Sequence, residues 1–465
     1  MKYADFVSKK LSICAPSGLV TIGSLPDSLF PHQADLVRWA LRRGRAAIFA
    51  DTGLGKSRMQ VAWADQVHKA TGRDVLILAP LAVAAQTVEE GERLGVTITH
   101  AREAWQVMPG INITNYDRLH KFDASQFGGV VLDESSVIKH HDTRTLAQLL
   151  EAFAGTPYKL CATATPAPND WTELGTHAEF LGVCTRTEML AEFFCHDGGE
   201  TQTWRLKGHA REAFWRWVAA WGAMLRRPSD LGYDDTRYNL PELHVAEHLV
   251  ASDDASLVNE GMLFALEAST LSERRDARRA SLDARVKACA DMVNADNEPW
   301  IVWCDLNAES DALKAAIPGS VEIRGADSAE DKEGRLMAFA HGEIRVLITK
   351  PSIAGWGLNW QHCARMAFVG VTDSFEAYYQ AVRRCWRFGQ QREVMVHLFA
   401  SQLEGSVLAN LRRKEADALA MAESLSQETR AAVMAEVRGT SRQTNPYNAN
   451  TAIKTPAWLK TEIAA

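Results

Sequence analysis

The chain is predicted to be an α/β protein built on two parallel β-sheets, and three observations lead there. Short apolar runs alternate with amphipathic stretches of helical period. The runs are apolar on both faces, as strands covered by helices on both sides must be. They also fall into two sets, separated by a stretch of different composition. The first set is Ala46–Ala50, Val75–Ala79, Ile111–Thr114, Gly129–Leu132 and Lys159–Ala162, each bounded by Gly, Pro, Asp or Thr. The second is Trp300–Cys304, Val321–Ile323, Arg345–Thr349, Arg365–Val369 and Val394–Phe399. Parallel neighbours need a long crossover, and the helical stretches between the runs supply it.

The chain has 465 residues, 46% of them hydrophobic and 23% charged, which is the composition of a globular protein with two or three domains. The expected division is an N-terminal lobe at 1–241, a C-terminal lobe at 242–435 and a polar tail at 436–465. The first lobe carries a Trp/Arg-rich helical insertion at about 184–235. The longest apolar run, Val75 to Ala85, is too short for a membrane span and contains Pro80. No basic start followed by an apolar stretch marks a leader, and none of the eight cysteines is spaced C-x-x-C. Reduced thiols in a cytoplasmic protein are expected. Net charge is −7, so a nucleic-acid site would have to be a local patch.

The segment Ile48–Ser57 ends a strand and opens an amphipathic helix, the setting a phosphate-binding loop requires. It follows G-x-x-x-x-G-K-[ST], with Ala50 in place of the first glycine. Thr52, Gly53 and Gly55 would turn backbone N–H groups toward the phosphates of ATP. Lys56 would reach the terminal phosphates and the Ser57 hydroxyl would hold Mg²⁺. Further on, Val130–Val131–Leu132 reads as a buried strand delivering Asp133 and Glu134 at its carboxyl end, where nucleotides bind in such sheets. Asp133 would hold Mg²⁺ and Glu134 would orient and deprotonate the attacking water. The alternative, Asp-Glu-Ser-Ser as an acidic helix cap, is the weaker reading once the phosphate loop stands beside it.

These elements stand in an order that resembles the superfamily-two nucleic-acid-dependent ATPases, and within them the Swi/Snf-type translocases. The matches run from about residue 29 to 400. Phe30–Pro31–His32–Gln33 is similar to the family's adenine-reading glutamine motif, with His32 where Tyr is usual. Ala79–Pro80–Leu81 and Ile113–Thr114–Asn115–Tyr116 resemble strand ends that touch the nucleic-acid backbone. Thr163–Ala164–Thr165–Pro166 followed by Asn169 resembles T-G-T-P…N, which couples the sites. Leu225–Arg226–Arg227 and then Leu240–Pro241 resemble the L-R-R…L-P crossing between lobes. Ala354–Gly355–Trp356–Gly357–Leu358–Asn359 resembles the second-lobe glycine motif, and Gln380 to Gln390 matches Q-A-x-x-R-x-x-R-x-G-Q. The resemblance implies two RecA-like lobes with the ATP site in the cleft between them. It implies that Gln33 and Gly357 contact nucleotide, and that Asn115, Thr163, Thr165, Asn359 and Gln380 contact nucleic acid or couple to it. It implies a DNA partner, double-stranded in this branch; a replication or recombination protein is the further partner that a recruiting role would require. Compact phage or prophage-encoded helicases, working in the bacterial host cytoplasm, are the nearest likeness.

Positive charge is needed at the γ-phosphate chiefly in the transition state. Arg384 and Arg387, three apart and on one face of a helical stretch, are the expected arginine fingers of the second lobe. Arg383 is placed off that face. From Trp204 to Arg227, Lys or Arg occupies 205, 207, 211, 216, 226 and 227, interleaved with tryptophan. The arginines suit phosphates, whereas Phe214, Trp217, Trp221 and Leu225 recur at the spacing of a buried helix stripe. Residues 267–287 read as a solvated mixed-charge helix. Cys184, Cys195, His196 and His209 lack the spacing of a zinc site. Two other functions remain open: a strand-separating helicase, with Cys195–Trp204 around Gly198–Gly199 as its wedge, and an ATP-gated module that recruits a partner.

Overall fold

The computed structural model describes residues 17–80, 83–167, 170–196, 204–250, 281–354, 358–370, 374–401 and 405–438. The first sheet is formed by β1 (Arg45–Ala50), β2 (Val75–Ala79), β3 (Ile98–His100), β4 (Ile111–Asn115), β5 (Gly129–Asp133) and β6 (Tyr158–Ala162). A two-stranded antiparallel ribbon of β7 (Phe194–His196) and β8 (Trp204–Leu206) follows, and β9 (Gly222–Leu225) completes the first sheet. Its order is β3-β4-β2-β5-β6-β1-β9, with every pair parallel. The second sheet contains β10 (Leu243–Val250), β11 (Trp300–Cys304), β12 (Val321–Glu322), β13 (Val346–Thr349), β14 (Arg365–Val369) and β15 (Val394–Ser401). It is ordered β10-β15-β14-β11-β13-β12 and is also parallel throughout.

These are two RecA-like α/β lobes, and their strands show why the sequence runs look as they do. Ala46, Ile48 and Ala50 enter the core on one side of the first sheet, while Ala47 and Phe49 enter the core on the other. In the second sheet Ile301 and Trp303 face one core and Trp300, Val302 and Cys304 the opposite one. Burial on both faces removes the polar alternation that a one-sided sheet would show. All the expected strands form, with ends shifted by a residue or two.

The middle of the chain departs from expectation. The helix α1 (Arg211–Ala219) stops before Trp221, and Leu225 belongs to β9, paired with Ala50 of β1. The region at 184–235 is therefore not a helical insertion throughout, because it also supplies an edge strand to the first sheet. Phe214 and Trp221 are core residues, as the aromatic stripe implied, but Trp217 is only partly buried, and Trp215, outside the stripe, takes a core position. Residues 251–280 and 439–465, with most of the mixed-charge stretch and the polar tail, lie outside the described residues. The long helix α2 (Gly405–Arg438) leaves the second sheet and packs on the first lobe, placing Val433 and Val437 in its core.

His177, fully buried, sits edge-on to Phe49 and its Nε2 is 3.1 Å from Ser135 Oγ. Burial pushes its pKa down to about 4 from 6.5. An unfolded chain takes up this proton as pH falls through 6.5, and the folded one refuses it until about 4. Stability is thus complete above that window and is lost as pH drops through it, by on the order of 1.4 kcal/mol per unit for one histidine. In thermal melts between pH 7 and pH 5, His177→Gln should shrink the fall in Tm seen for the unaltered chain. Equal falls in the two proteins would remove His177 from the account.

Candidate active site

The loop between β1 and the helix Lys56–Thr71 is shaped by Gly53 at φ 89° and Gly55 at φ 82°, a left-handed backbone that side chains resist. Lys56 begins that helix, and its Nζ donates to Ala50 O at 2.9 Å. Burial lowers the Lys56 pKa; Glu134, Asp51 and Asp133 oppose the shift, and the positive charge of Arg387 adds to it. Ser57 follows in the first helical turn. Thr52 departs from the expected role: its N–H and hydroxyl both donate to Asp51 Oδ1, at 2.6 and 3.2 Å.

In the first sheet β6 lies between β5 and β1, so three strand ends meet at one edge. From β5 come Asp133 and Glu134, 4% and 6% exposed. Glu134 has φ 50° and ψ 53°, the sole non-glycine residue at positive φ among the described residues. Such a backbone costs on the order of 1–3 kcal/mol and persists where its surroundings enforce it. Gln60 Nε2 donates to Asp133 Oδ1 at 2.5 Å, and Tyr116 Oη donates to Asp133 O at 2.7 Å. Burial first, and then Glu134 beside it, pushes the Asp133 carboxyl up to about 6. From β6 comes Thr163, whose hydroxyl donates to Glu134 Oε2 at 3.4 Å and accepts from Thr165 N at 3.2 Å. The Ser57 hydroxyl and the Asp133 carboxylate are hard oxygen donors of the kind Mg²⁺ takes. A cation would also offset the charge that burial disfavours on Asp133, so these residues fit the metal.

The arginine segment differs from its expected form. Helix α3 (Phe375–Val382) ends before Arg383, and 383–389 is a succession of turns and bends, so Arg384 and Arg387 do not share a helix face. Arg384 is turned into its own lobe. It is 1% exposed, with Nε on Gln380 O (2.9 Å), Nη2 on Gln380 Oε1 (2.8 Å) and Nη1 on Leu358 O (3.2 Å). Arg387 uses one Nη on Leu358 O at 3.1 Å, and its buried Nε has no partner among the described residues. Burial and the neighbouring Arg384 lower its pKa to about 9, against the pull of Glu134. Of the three arginines, Arg383 is the one paired with the first lobe, its Nη2 lying 3.8 Å from Asp51 Oδ2. Tyr379 Oη donates to the other Asp51 oxygen at 3.0 Å. The Arg383 guanidinium lies over the Trp386 and Tyr379 rings, at 4.5 and 5.1 Å from their centroids. It is a cleft residue, not a surface one.

Gln33 is also placed differently from expectation. It is buried, its Oε1 accepts from Phe30 N at 3.0 Å, and its Nε2 donates to Leu54 O at 2.9 Å. The amide therefore props the phosphate loop from beneath. Beside it stand Phe30, His32, Tyr238 and Phe388, with Tyr238 and Phe388 ring centroids 4.8 Å apart. The backbone N of Phe388 comes within 2.9 Å of where a Cβ on Gly53 would stand, so only glycine fits that contact. Asn115 Oδ1, Thr165 Oγ1, Asn359 Oδ1 and Gln380 Nε2 are buried without partners among the described residues. Gly357 and Asn169 lie outside them.

Residues 28–158 match the AAA domain family, and residues 284–389 match the helicase conserved C-terminal domain. No curated protein matches the chain. A P-loop ATPase domain followed by a helicase C-terminal domain defines a helicase-type ATPase, an enzyme that hydrolyses ATP and works on nucleic acid. No helix among the described residues is long and apolar enough to cross a membrane.

Asp51, Gln60, Tyr379 and Phe388 escaped the sequence reading, and Arg383 was set aside from the site by it. The only signal was Gln60, four residues and so one helical turn beyond Lys56. If Arg383 and Asp51 act as a pair, a double-mutant cycle of Arg383→Ala and Asp51→Asn on ATPase kcat should be strongly non-additive. A coupling of about 0.5–3 kcal/mol is the range for residues in direct contact. Strict additivity would mean that the two groups work independently.

Proposed function

We propose that the protein is an ATP-driven motor on double-stranded DNA, moving along it by closure of its two lobes, with helix α2 counted with the first lobe rather than with 242–435. The observation that carries this reading is the convergence in one cleft of Lys56, Asp133 and Glu134 from the first sheet with Arg387 from the second lobe. Lys56 is the phosphate-facing cation. Glu134, held by Thr163, is the base that takes the proton of the attacking water. Arg387, with an unpaired Nε, is the finger that completes the site on closure, and Arg384 sets its position through the shared Leu358 carbonyl. When bound, Mg²⁺ supplies positive charge against the phosphate oxygens. Asn115, Thr165, Asn359 and Gln380 hold buried polar atoms in reserve for a nucleic-acid backbone. Duplex preference, the Swi/Snf-type branch, a phage or prophage origin and a cytoplasmic setting rest on the motif resemblance.

A second reading, strand separation, is favoured by one observation. The β7–β8 ribbon stands where a wedge was expected, although its connecting residues 197–203, with Gly198 and Gly199, lie outside the described residues. Side-by-side ATPase assays should separate the two. Duplex DNA should stimulate hydrolysis more than single-stranded DNA or RNA, and the effect should weaken with salt as phosphate contacts release counterions. Stronger stimulation by RNA would overturn the duplex reading.

Two variants test the site itself. Lys56→Ala should weaken ATP binding, while Glu134→Gln should bind ATP and leave it uncleaved. The check is nucleotide binding by calorimetry beside single-turnover hydrolysis. Near-normal turnover in Glu134→Gln would make the acidic pair structural.

A further inference from the structure

The Trp- and Arg-rich stretch is only partly absorbed by the fold. Lys207 Nζ donates to the carbonyls of Ala191 and Glu192, both at 2.8 Å, closing the end of a helix. Arg211 pairs with Glu428 at 2.9 Å, Arg226 with Glu423 at 3.9 Å, and Arg216 with Glu212. Arg205, exposed on β8, has no side-chain partner among the described residues. It stands at a pocket between the β7–β8 ribbon and α1 that is also lined by Trp171, Trp204 and Trp215.

Three features make this pocket more than a gap between elements. Trp171 and Trp204 are half-buried, so each keeps accessible ring surface, and Trp204 is braced across the ribbon by His196 at 3.9 Å between centroids. Trp215 is 2% exposed and meets Trp171 edge to face at 4.9 Å between centroids, which fixes that ring. Finally, Asp170 at the rim accepts from Thr172 N at 2.7 Å, and its one negative charge is outnumbered there by Arg205, Lys207 and Arg211.

We propose that this pocket binds an unpaired nucleotide of a single strand, its base stacked on Trp171 and Trp204 and its phosphate held by Arg205. Aromatic faces with an adjacent arginine suit such an occupant, because every base has a π face and every linkage a charge. A base within a duplex is stacked on its neighbours and cannot enter, so the occupied form is a frayed end, a fork or a single strand. The site also has a short route to the chemistry. Asp170 and Trp171 follow closely on the loop of Thr163 and Thr165, and Thr163 is bonded to Glu134.

This inference rests on the nucleic-acid motor reading, and the test keeps the two apart. The full chain and the variants Trp204→Ala, Trp204→Phe and Arg205→Ala are compared for binding and ATPase stimulation. The probes are blunt duplex DNA, forked DNA, single-stranded DNA and single-stranded RNA. Trp204→Ala and Arg205→Ala should each weaken binding of forked and single-stranded probes by about 10-fold, with blunt duplex binding and unstimulated hydrolysis unchanged. Trp204→Phe, which keeps a ring, should restore most of the loss. The DNA and RNA single strands then show which sugar the pocket accepts. Variants indistinguishable from the unaltered chain, or weakened equally on every probe, would overturn the pocket. Absence of binding or stimulation by any probe in the unaltered chain would instead overturn the motor reading.

Discussion

Lys56, Asp133, Glu134 and Arg387 crowd into one cleft, where the charges of opposite sign support one another. Two positive and two negative groups offset the desolvation that any one of them would suffer alone. This balance accounts for several local oddities. The Glu134 backbone is forced into the left-handed region so that two consecutive carboxylates both stay at the strand end. Gln60 and Tyr116 are spent fixing Asp133, one on its carboxylate and one on its carbonyl. Adding the strong negative charge of a nucleotide would upset the balance, and movement of the second lobe's arginines is the natural way to restore it.

The parallel order of the first sheet serves that arrangement. Placing β6 between β5 and β1 puts Thr163 between the acidic pair and the phosphate loop. The side chain that touches Glu134 is therefore carried by the same loop that leads on toward the Trp171 pocket. The catalytic cleft and the proposed nucleotide pocket are thus linked through a few residues of chain.

The strands and the phosphate loop were legible because their signals are local. Val75–Ala79 or Trp300–Cys304 can be read from apolar composition alone, and Gly53–Leu54–Gly55–Lys56–Ser57 from spacing. What was not legible depends on partners distant in sequence. Nothing around Leu225 announces a strand until β1 is there to pair with it. Nothing around Gln33 announces that Phe30 and Leu54 will hold its amide. Arg383 looks like a helix-surface residue only while the helix is assumed to continue. Once α3 ends at Val382, the chain turns and delivers Arg383 to Asp51, while Arg384 is held by Gln380 and Leu358 and still feels Glu134.

The helix α2 lays Val433 and Val437 into the first lobe's hydrophobic core and fastens there through Arg430 to the Ser229 carbonyl at 2.8 Å. The first lobe thus has two ends in the sequence, one near residue 241 and one near residue 438. A gene cut at the first of these would encode an open seam along β9 and α1 where apolar residues meet water. The same clasp makes the lobes a closed loop of chain, joined through the 225–243 crossing on one side and α2 on the other. Two tethers leave few ways to swing apart, so relative motion is narrowed from free separation toward rotation about a line joining them.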